Sequence, residues 1–272
     1  MGESQPGSGR IAQAGSVLAE IVRETQAEVA ARRHAVPLAE VEWRAAEAPP
    51  VRGFALALAQ HGLAVIAEMK ARSPSAGKLA VDYSPADLAR KYQAGGAAAV
   101  SVLCQGSRFG GSPEHLAEAR AATRLPLLRK DFVTDEYQVL EGRAWGADAI
   151  LLIAAALEPV RLRQLVRLVH SLGMDALVEV HDEAELGAGL DSGTRLVGIN
   201  HRDLKTLRVD LGLSERLRPL IPGDRGVVAE SGIQDAATAR RLKEAGVDAV
   251  LVGEALLRAS DPGALIKELS LK

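Results

Sequence analysis

From residue 65 onward, apolar residues fall into eight short runs, separated by longer stretches with helical spacing. The runs are 65–70, 98–103, 125–130, 149–153, 176–180, 196–200, 226–230 and 249–253. Their near-continuous apolar character is that of parallel strands covered on both faces. Four runs follow similar pieces: Ala94-Gly95-Gly96-Ala97, Trp145-Gly146-Ala147-Asp148, Leu172-Gly173-Met174-Asp175 and Ala245-Gly246-Val247-Asp248. Each places glycine where a helix stops, just before a strand begins. Eight such units match an α/β fold of the (β/α)₈, or TIM, barrel type, which takes about 250 residues. An open doubly wound sheet is the second reading. Against it, no Gly-x-Gly-x-x-Gly follows the first run, and no acidic residue stands where a ribose would need one.

Upstream the pattern changes. Val17, Leu18, Ile21, Val22, Thr25 and Val29 share a helical stripe behind a capping Ser16, while Glu20, Arg23, Glu24 and Arg32 face away. This predicts a helix over 16–33, packed outside the barrel or across its rim. A proline-interrupted stretch ends at Pro49-Pro50, and 54–63 reads as a second short helix. Residues 1–15 are rich in Gly, Ser and Pro with no apolar period, the pattern of a disordered tail. The expected organisation is therefore a tail at 1–15, then a single barrel domain over 16–272 that includes a helical extension at 16–63.

Composition narrows the partners. The 272 residues carry 35 acidic and 33 basic side chains, a net charge of -2, so there is no basic field to attract nucleic acid or an anionic membrane. Any bound anion needs a local site. The apolar run 147–157 contains Asp148 and is too short to span a bilayer. The first nine residues lack the charged and apolar regions of a signal peptide. Cys104 is the sole cysteine, which suits a reducing cytoplasm, and it reads as a small apolar filler.

Barrel chemistry sits at the C-terminal strand ends and the loops behind them. Run 1 ends in Glu68 and Lys70, with Ser73-Pro74-Ser75 following; run 3 ends at Lys130-Asp131-Phe132. Run 5 carries Glu179 and then His181, run 6 ends in Asn200 with Arg202 behind it, and run 7 ends in Glu230-Ser231-Gly232. Two lysines and three glutamates thus converge on one rim. Singly, each reads equally well as part of a salt-bridged layer; five together on the reactive face point to proton-transfer chemistry. Glu68 and Lys70, two apart on a strand, share a face and can pair. Glu179 lies roughly across the barrel, giving a second acid/base grouping. Ser231-Gly232 and Gly253 occupy the turns after runs 7 and 8, where barrels hold phosphate, with Ser73 able to add a hydroxyl. Phe109 and Phe132, two of only three phenylalanines, follow adjacent runs. They read either as rim packing or as a flat apolar slot for an aromatic substrate. His181 and His201 show no His-x-His or His-Glu-x-x-His spacing, so no metal and no cofactor is expected.

Six motifs, taken in order, resemble those of the indole-3-glycerol-phosphate synthase family: 65–70 with Ser73-Pro74-Ser75, Phe109-Gly110-Gly111-Ser112, 127–132, 177–181, 198–204 and 229–233. The resemblance covers about residues 16 to 270. It implies a carbon–carbon lyase (carboxy-lyase) of tryptophan biosynthesis, acting on a small phosphorylated substrate, 1-(2-carboxyphenylamino)-1-deoxyribulose 5-phosphate. The products are indole-3-glycerol phosphate, carbon dioxide and water. It further implies that Lys130 is the acid of ring closure and that Lys70, paired with Glu68, orients the anthranilate carboxylate. Glu179 would hold or relay a proton, while Asn200, Arg202 and Glu230 position hydroxyls and neighbouring charges. Which lysine serves the dehydration stays open, as do a monomeric or weakly self-associating state and association with other enzymes of the pathway. The chain departs from the family pattern at Cys104-Gln105, usually Thr and an acid, at Ala71-Arg72, and at Glu254, expected to point away from a phosphate. A Schiff-base aldolase using Lys130 or Lys70, and a barrel that only binds a phosphorylated ligand, are the competing readings.

Overall fold

The computed structural model describes residues 16–60, 62–73, 77–78, 83–203 and 206–271. The tail expected at 1–15, Pro74, Ser75 and the side chain of Ser73 lie outside the described residues.

Eight parallel strands close into a barrel: β1 (Ala64–Met69), β2 (Ala99–Leu103), β3 (Leu127–Lys130), β4 (Ala149–Ile153), β5 (Asp175–Val180), β6 (Leu196–Asn200), β7 (Gly226–Glu230) and β8 (Ala249–Val252). Each pairs with its sequence neighbours, and β1 closes the ring on β8 with Ala64 beside Ala249. These strands fall within a residue or two of the eight apolar runs, and helices cover the outside between them.

Strand alternation divides the core in two. Val65, Ala67, Met69, Val100, Val102, Val178 and Val250 point outward and pack beneath the helices. Ile66, Ala99, Leu128, Leu151, Leu177, Val228 and Leu251 point inward and fill the barrel. Burying a large aliphatic side chain contributes about 1.5–3 kcal/mol, so both layers hold the wall closed. The lower end is plugged by Phe54 and Leu58, from the short helix α3 (Phe54–Ala59).

The glycine-marked pieces do more than stop helices. Gly96 caps its helix in the left-handed conformation (φ 86°). In three of the four pieces an aspartate follows and ties the lower rim. Asp148 accepts from the backbone N–H of Leu127 at 2.8 Å and of Arg52 at 2.6 Å. Asp175 accepts from Ala55 at 2.9 Å and Asp248 from Val227 at 2.8 Å.

Helix α1 (Val17–Ala35) starts at Ser16, whose hydroxyl accepts from Ala19 N–H at 3.2 Å. It buries Leu18, Ile21, Thr25 and Val29, four of the six stripe positions. A second helix, α2 (Leu38–Glu47), occupies what the sequence reads as a proline-interrupted stretch. Pro37 stands at its N-cap, where a missing N–H costs nothing, so this proline begins a helix. Only Val41 and Ala45 of α2 are buried, too thin an apolar stripe to announce it.

Behind β3 the fully buried Arg129 donates to Asp131 at 2.8 Å, to Glu141 at 2.8 Å and to the Gln138 carbonyl at 2.7 Å. Arg32 of α1 reaches the same Glu141 at 2.7 Å, which roots α1 on the barrel wall. Removing one partner of such a pair strands the others without solvent. Arg129→Met is therefore expected to cost about 3–5 kcal/mol in urea unfolding, whereas Arg33→Met, at a half-exposed pair with Asp135, costs less than about 1 kcal/mol.

Candidate active site

The inward ladder of each strand changes character at its upper end. Below, it is apolar: Ile66, Leu128, Leu177, Val228 and Leu251. Two residues further along, the same faces carry Glu68, Lys130, Glu179, Glu230 and Gly253. All five line one chamber of about 860 Å³ above the apolar plug, with Lys70, Asn200, Arg202, Ser231 and Gly232. The position of each candidate side chain follows from strand period and barrel closure alone.

The charges form two groupings. Lys70 Nζ donates to Glu68 Oε1 at 2.6 Å. Across the chamber Lys130 Nζ donates to Glu179 Oε2 at 3.0 Å and lies 3.4 Å from Glu230 Oε2. Asn200 Nδ2 donates to Glu179 Oε1 at 3.1 Å, and its own Oδ1 accepts the Arg202 N–H at 3.0 Å. Burial opposes the charge on Lys130, but Glu179, Glu230 and Glu68 together hold its pKa above the ordinary lysine range, so it is an ammonium at neutral pH. Burial also works against the Glu179 carboxylate. Lys130 foremost, with His181 and Asn200, overrides it and keeps Glu179 well below the usual carboxylate range.

Glu230 is the opposite case. Burial, and repulsion from Glu179 and Glu68, push its pKa up to about 8 against the pull of Lys130. Neither carboxyl oxygen has a hydrogen-bond partner. The two glutamates beside Lys130 are thus split into one anion and one neutral acid.

Two glycines make room for this arrangement. A methyl group at Gly253 would collide with the Glu68 carboxylate and sit 3.1 Å from Lys70 Nζ, and one at Gly198 on β6 would collide with Glu230 Oε1. The turn after β7 is tight: Ser231 adopts φ 67° and Gly232 φ 81°. The left-handed conformation costs a non-glycine residue about 1–2 kcal/mol, a strain that gathers at functional turns. Glu254 is among the residues that line the chamber, and its carboxylate pairs with Arg258 at 2.9 Å. Phe109 and Phe132 stack on each other, with centroids 6.1 Å apart and planes at 28°. They form one apolar wall against which a flat ring can lie.

Helix α1 roofs the chamber with Val17, Leu18 and Ile21. It is latched to the loop after β2: Arg108 reaches Glu24 at 2.7 Å and Glu20 at 3.0 Å, and Glu28 accepts the Ser107 N–H at 2.9 Å. Gln105 turns into this latch, donating to Ser107 Oγ at 2.7 Å and accepting from the Arg108 N–H at 3.0 Å. Cys104 is buried against the outer core.

His201 faces away from the chamber, its ring bridging Ser231 O at 3.0 Å and Ser214 Oγ at 2.7 Å. His181 instead backs Glu179, with Nε2 at 3.3 Å from Oε1. No cluster able to hold a metal is found among the described residues. Sequence reasoning reads His181 only as a possible metal ligand and does not single out Gly198, although each lies two residues from a candidate, Glu179 or Asn200, and the fold sets His181 beside Glu179 and Gly198 beside Glu230.

Gly198→Ala must displace the Glu230 carboxyl, and displacement of about 1 Å in such a site costs on the order of 10²-fold in rate. We expect Gly198→Ala to retain its thermal unfolding temperature within a few degrees while losing about 10- to 100-fold in kcat/KM. Glu230 also sets a pH trend. Its folded pKa is raised, so folding favours its protonated form, and that contribution fades as pH climbs from its ordinary value through about 8. Thermal melts should find Glu230→Gln matching the native chain near pH 5 and outlasting it near pH 9.

The family model for indole-3-glycerol phosphate synthase matches residues 18–269. An enzyme of Streptomyces coelicolor named indole-3-glycerol phosphate synthase 2 is 57% identical over 253 residues, covering 93% of this chain and 98% of its own. A Dehalococcoides mccartyi indole-3-glycerol phosphate synthase is 47% identical over 257 residues, covering 93% of this chain and 99% of its own. Among solved structures, an N-acetylmannosamine-6-phosphate 2-epimerase from Clostridium perfringens superposes with a TM-score of 0.59 at 18% identity, over 78% of this chain and 93% of that one. A 3-hexulose-6-phosphate synthase does so with 0.59 at 15% identity, over 77% and 99%. At those identities the two structures share the barrel alone. The sequence relatives reach further: the chain belongs to the indole-3-glycerol phosphate synthase family, the decarboxylating lyases of tryptophan biosynthesis.

Proposed function

We propose that the chamber carries out the family's reaction with Lys130 as the acid of ring closure. The substrate is 1-(2-carboxyphenylamino)-1-deoxyribulose 5-phosphate and the product indole-3-glycerol phosphate. The observation that carries the assignment is the Lys130 ammonium, held 3.0 Å from an ionised Glu179 and 3.4 Å from Glu230 above the apolar plug. When the ring carbon bearing the carboxylate attacks the ketone, negative charge grows on the ketone oxygen. A positioned ammonium neutralises it by giving a proton, typically worth about 10²–10⁴-fold, or roughly 3–5 kcal/mol.

The rest of the substrate is held in parts. The wall of Phe109 and Phe132 takes the aromatic ring. Lys70, steadied by Glu68, orients the anthranilate carboxylate until it leaves as carbon dioxide. The turn at Ser231-Gly232, with Gly253 and Ser73, takes the phosphate. Asn200 and Arg202 hold the sugar hydroxyls, while Glu230, as a neutral acid, donates a hydrogen bond without adding repulsion near the phosphate. Glu179 receives or returns a proton. Either lysine suits the dehydration. A barrel domain over 16–272, in the cytoplasm, monomeric or weakly self-associating and open to contact with neighbouring enzymes of the pathway, is the setting this reading carries. No helix among the described residues is long and apolar enough to cross a membrane.

Lys130→Met keeps the bulk of the stem and removes the proton. Indole fluorescence should then show kcat lowered at least about 100-fold, with KM within a few-fold and a normal circular dichroism spectrum. A folded variant with near-native kcat transfers the acid role to Lys70. Borohydride trapping of a substrate imine on the native chain would replace the lyase reading with the aldolase one.

A further inference from the structure

The wall that takes the aromatic ring stands on two loops, and loops at a barrel rim move unless something ties them down. Phe109 lies in the loop after β2 and Phe132 in the loop after β3, and their rings meet at 6.1 Å and 28°. A phenylalanine side chain has few rotamers, so the backbone beneath it decides where its face looks.

In each loop one glutamine holds that backbone. Gln138, on the helix Glu136–Ala144, is fully buried and turns back onto the loop after β3. Its Nε2 donates to the Phe132 carbonyl at 3.1 Å, and its Oε1 accepts the N–H groups of Thr134 at 2.9 Å and Asp135 at 3.2 Å. Asp131 Oδ1 accepts the Phe132 N–H at 2.9 Å, so the backbone of this residue is held on both sides of its ring. Arg129 joins the two holders, donating to Asp131 Oδ2 and to the Gln138 carbonyl.

Gln105 is equally buried and serves the loop after β2. Its Oε1 accepts the N–H of Arg108, the residue before Phe109, at 3.0 Å. Its Nε2 donates to Ser107 Oγ at 2.7 Å, and its own carbonyl accepts the Gly111 N–H at 2.9 Å. Each loop therefore winds around one amide that donates and accepts at once, which a carboxylate cannot do. A carboxylate at 105, where the family usually has an acid, would also face Glu28 Oε1, which lies 3.4 Å from Gln105 Nε2. The described residues that line the chamber include both phenylalanines and neither glutamine.

We infer that Gln105 and Gln138 are positioning residues that set the seat of the aryl ring. Neither touches a substrate atom. By fixing two loops so that Phe109 and Phe132 stack, they govern affinity for the ring half of the substrate. The phosphate half, assigned to the turns after β7 and β8, lies outside their reach. Gln138 also completes the capping box of its helix with Asp135, and that role alone predicts lost stability. A selective loss of ring affinity is what the positioning role adds.

This role rests on the reading of the phenylalanine wall as the ring's seat, and the test keeps the two apart. Two probes are compared by calorimetry, below the unfolding temperature of each variant. One is the substrate with its ketone reduced to an alcohol, which binds without reacting. The other is ribitol 5-phosphate, which lacks the aryl amine. Gln105→Met and Gln138→Met keep the bulk of the side chain and remove its hydrogen bonds. Each should weaken the reduced substrate about 3- to 10-fold, the worth of one aromatic contact, and leave ribitol 5-phosphate within about twofold. Phe132→Ala should show the same split. If Phe132→Ala weakens neither probe, the wall is not the ring's seat and the inference falls with that reading. If it weakens the reduced substrate while both glutamine variants bind as the native chain does, the seat stands and the positioning role is overturned. Equal loss of both probes in the glutamine variants also overturns it, as the mark of a purely structural role.

The chain's three phenylalanines allow a second readout that needs no ligand. With 4-fluorophenylalanine in their place, Phe54 in the barrel floor is an internal reference. The native chain should give three dispersed fluorine resonances, and Gln138→Met should move those of Phe132 and its stacked neighbour while leaving that of Phe54. Native resonances of Phe109 and Phe132 averaged at the position of the free amino acid overturn the inference, whether or not the variants fold.

Discussion

A buried chamber cannot hold more carboxylates than cations without moving protons. Around the upper end of this barrel stand Glu68, Glu179 and Glu230 against Lys70 and Lys130, all within one cavity. The three glutamates are themselves buried, so their charge has to be balanced by neighbours. Glu68 takes Lys70 and Glu179 takes Lys130. The third carboxyl is left with two repelling anions nearby and keeps its proton. The division of labour among three chemically identical side chains thus comes from counting charges in a confined volume, and the glycines at 198 and 253 leave the room that Glu230 and Glu68 occupy.

The same confinement explains why the charges sit only at the top. One layer down, the inward positions are Ile66, Leu128, Leu177, Val228 and Leu251, and α3 seals the bottom with Phe54 and Leu58. This apolar floor lowers the local polarizability beneath the ion pairs and strengthens every interaction above it. The floor and the reactive layer are successive steps on the same strands, so packing that stabilises the barrel also fixes the spacing of the acid and base groups.

Much of this was legible in the sequence because it depends on short periods. The eight apolar runs, the glycine-marked helix ends and the two-residue step from Glu68 to Lys70 are local signals, and each lies where the barrel puts it. What was not legible depends on pairs far apart in the chain. Arg32 meets Glu141, and Arg108 meets Glu20 and Glu24, across more than 80 positions, and no local pattern announces such partners. Helix α2 was hidden by Pro37, which breaks a helix in its interior and begins one at its edge. His181 was visible as a residue but was weighed only as a metal ligand; its two carboxylate neighbours come from the fold.

The roof of the chamber is fastened unequally. The later half of α1 is rooted by Arg32 on the buried Glu141, and by Tyr137, whose hydroxyl reaches the carbonyl of Arg32 at 3.2 Å and that of Val36 at 3.0 Å. The earlier half, which carries Val17, Leu18 and Ile21 over the cavity, is held by ion pairs of Arg108 with partly exposed Glu20 and Glu24. Ions in solution weaken exposed pairs and leave buried ones nearly untouched. Ionic strength therefore acts on the ion pairs that hold the earlier half, while at the later half it reaches the exposed Arg33–Asp135 pair but leaves the anchor on Glu141 in place. The helix is a cantilever with a fixed root and a salt-sensitive tip, and the tip is the end that stands over the substrate.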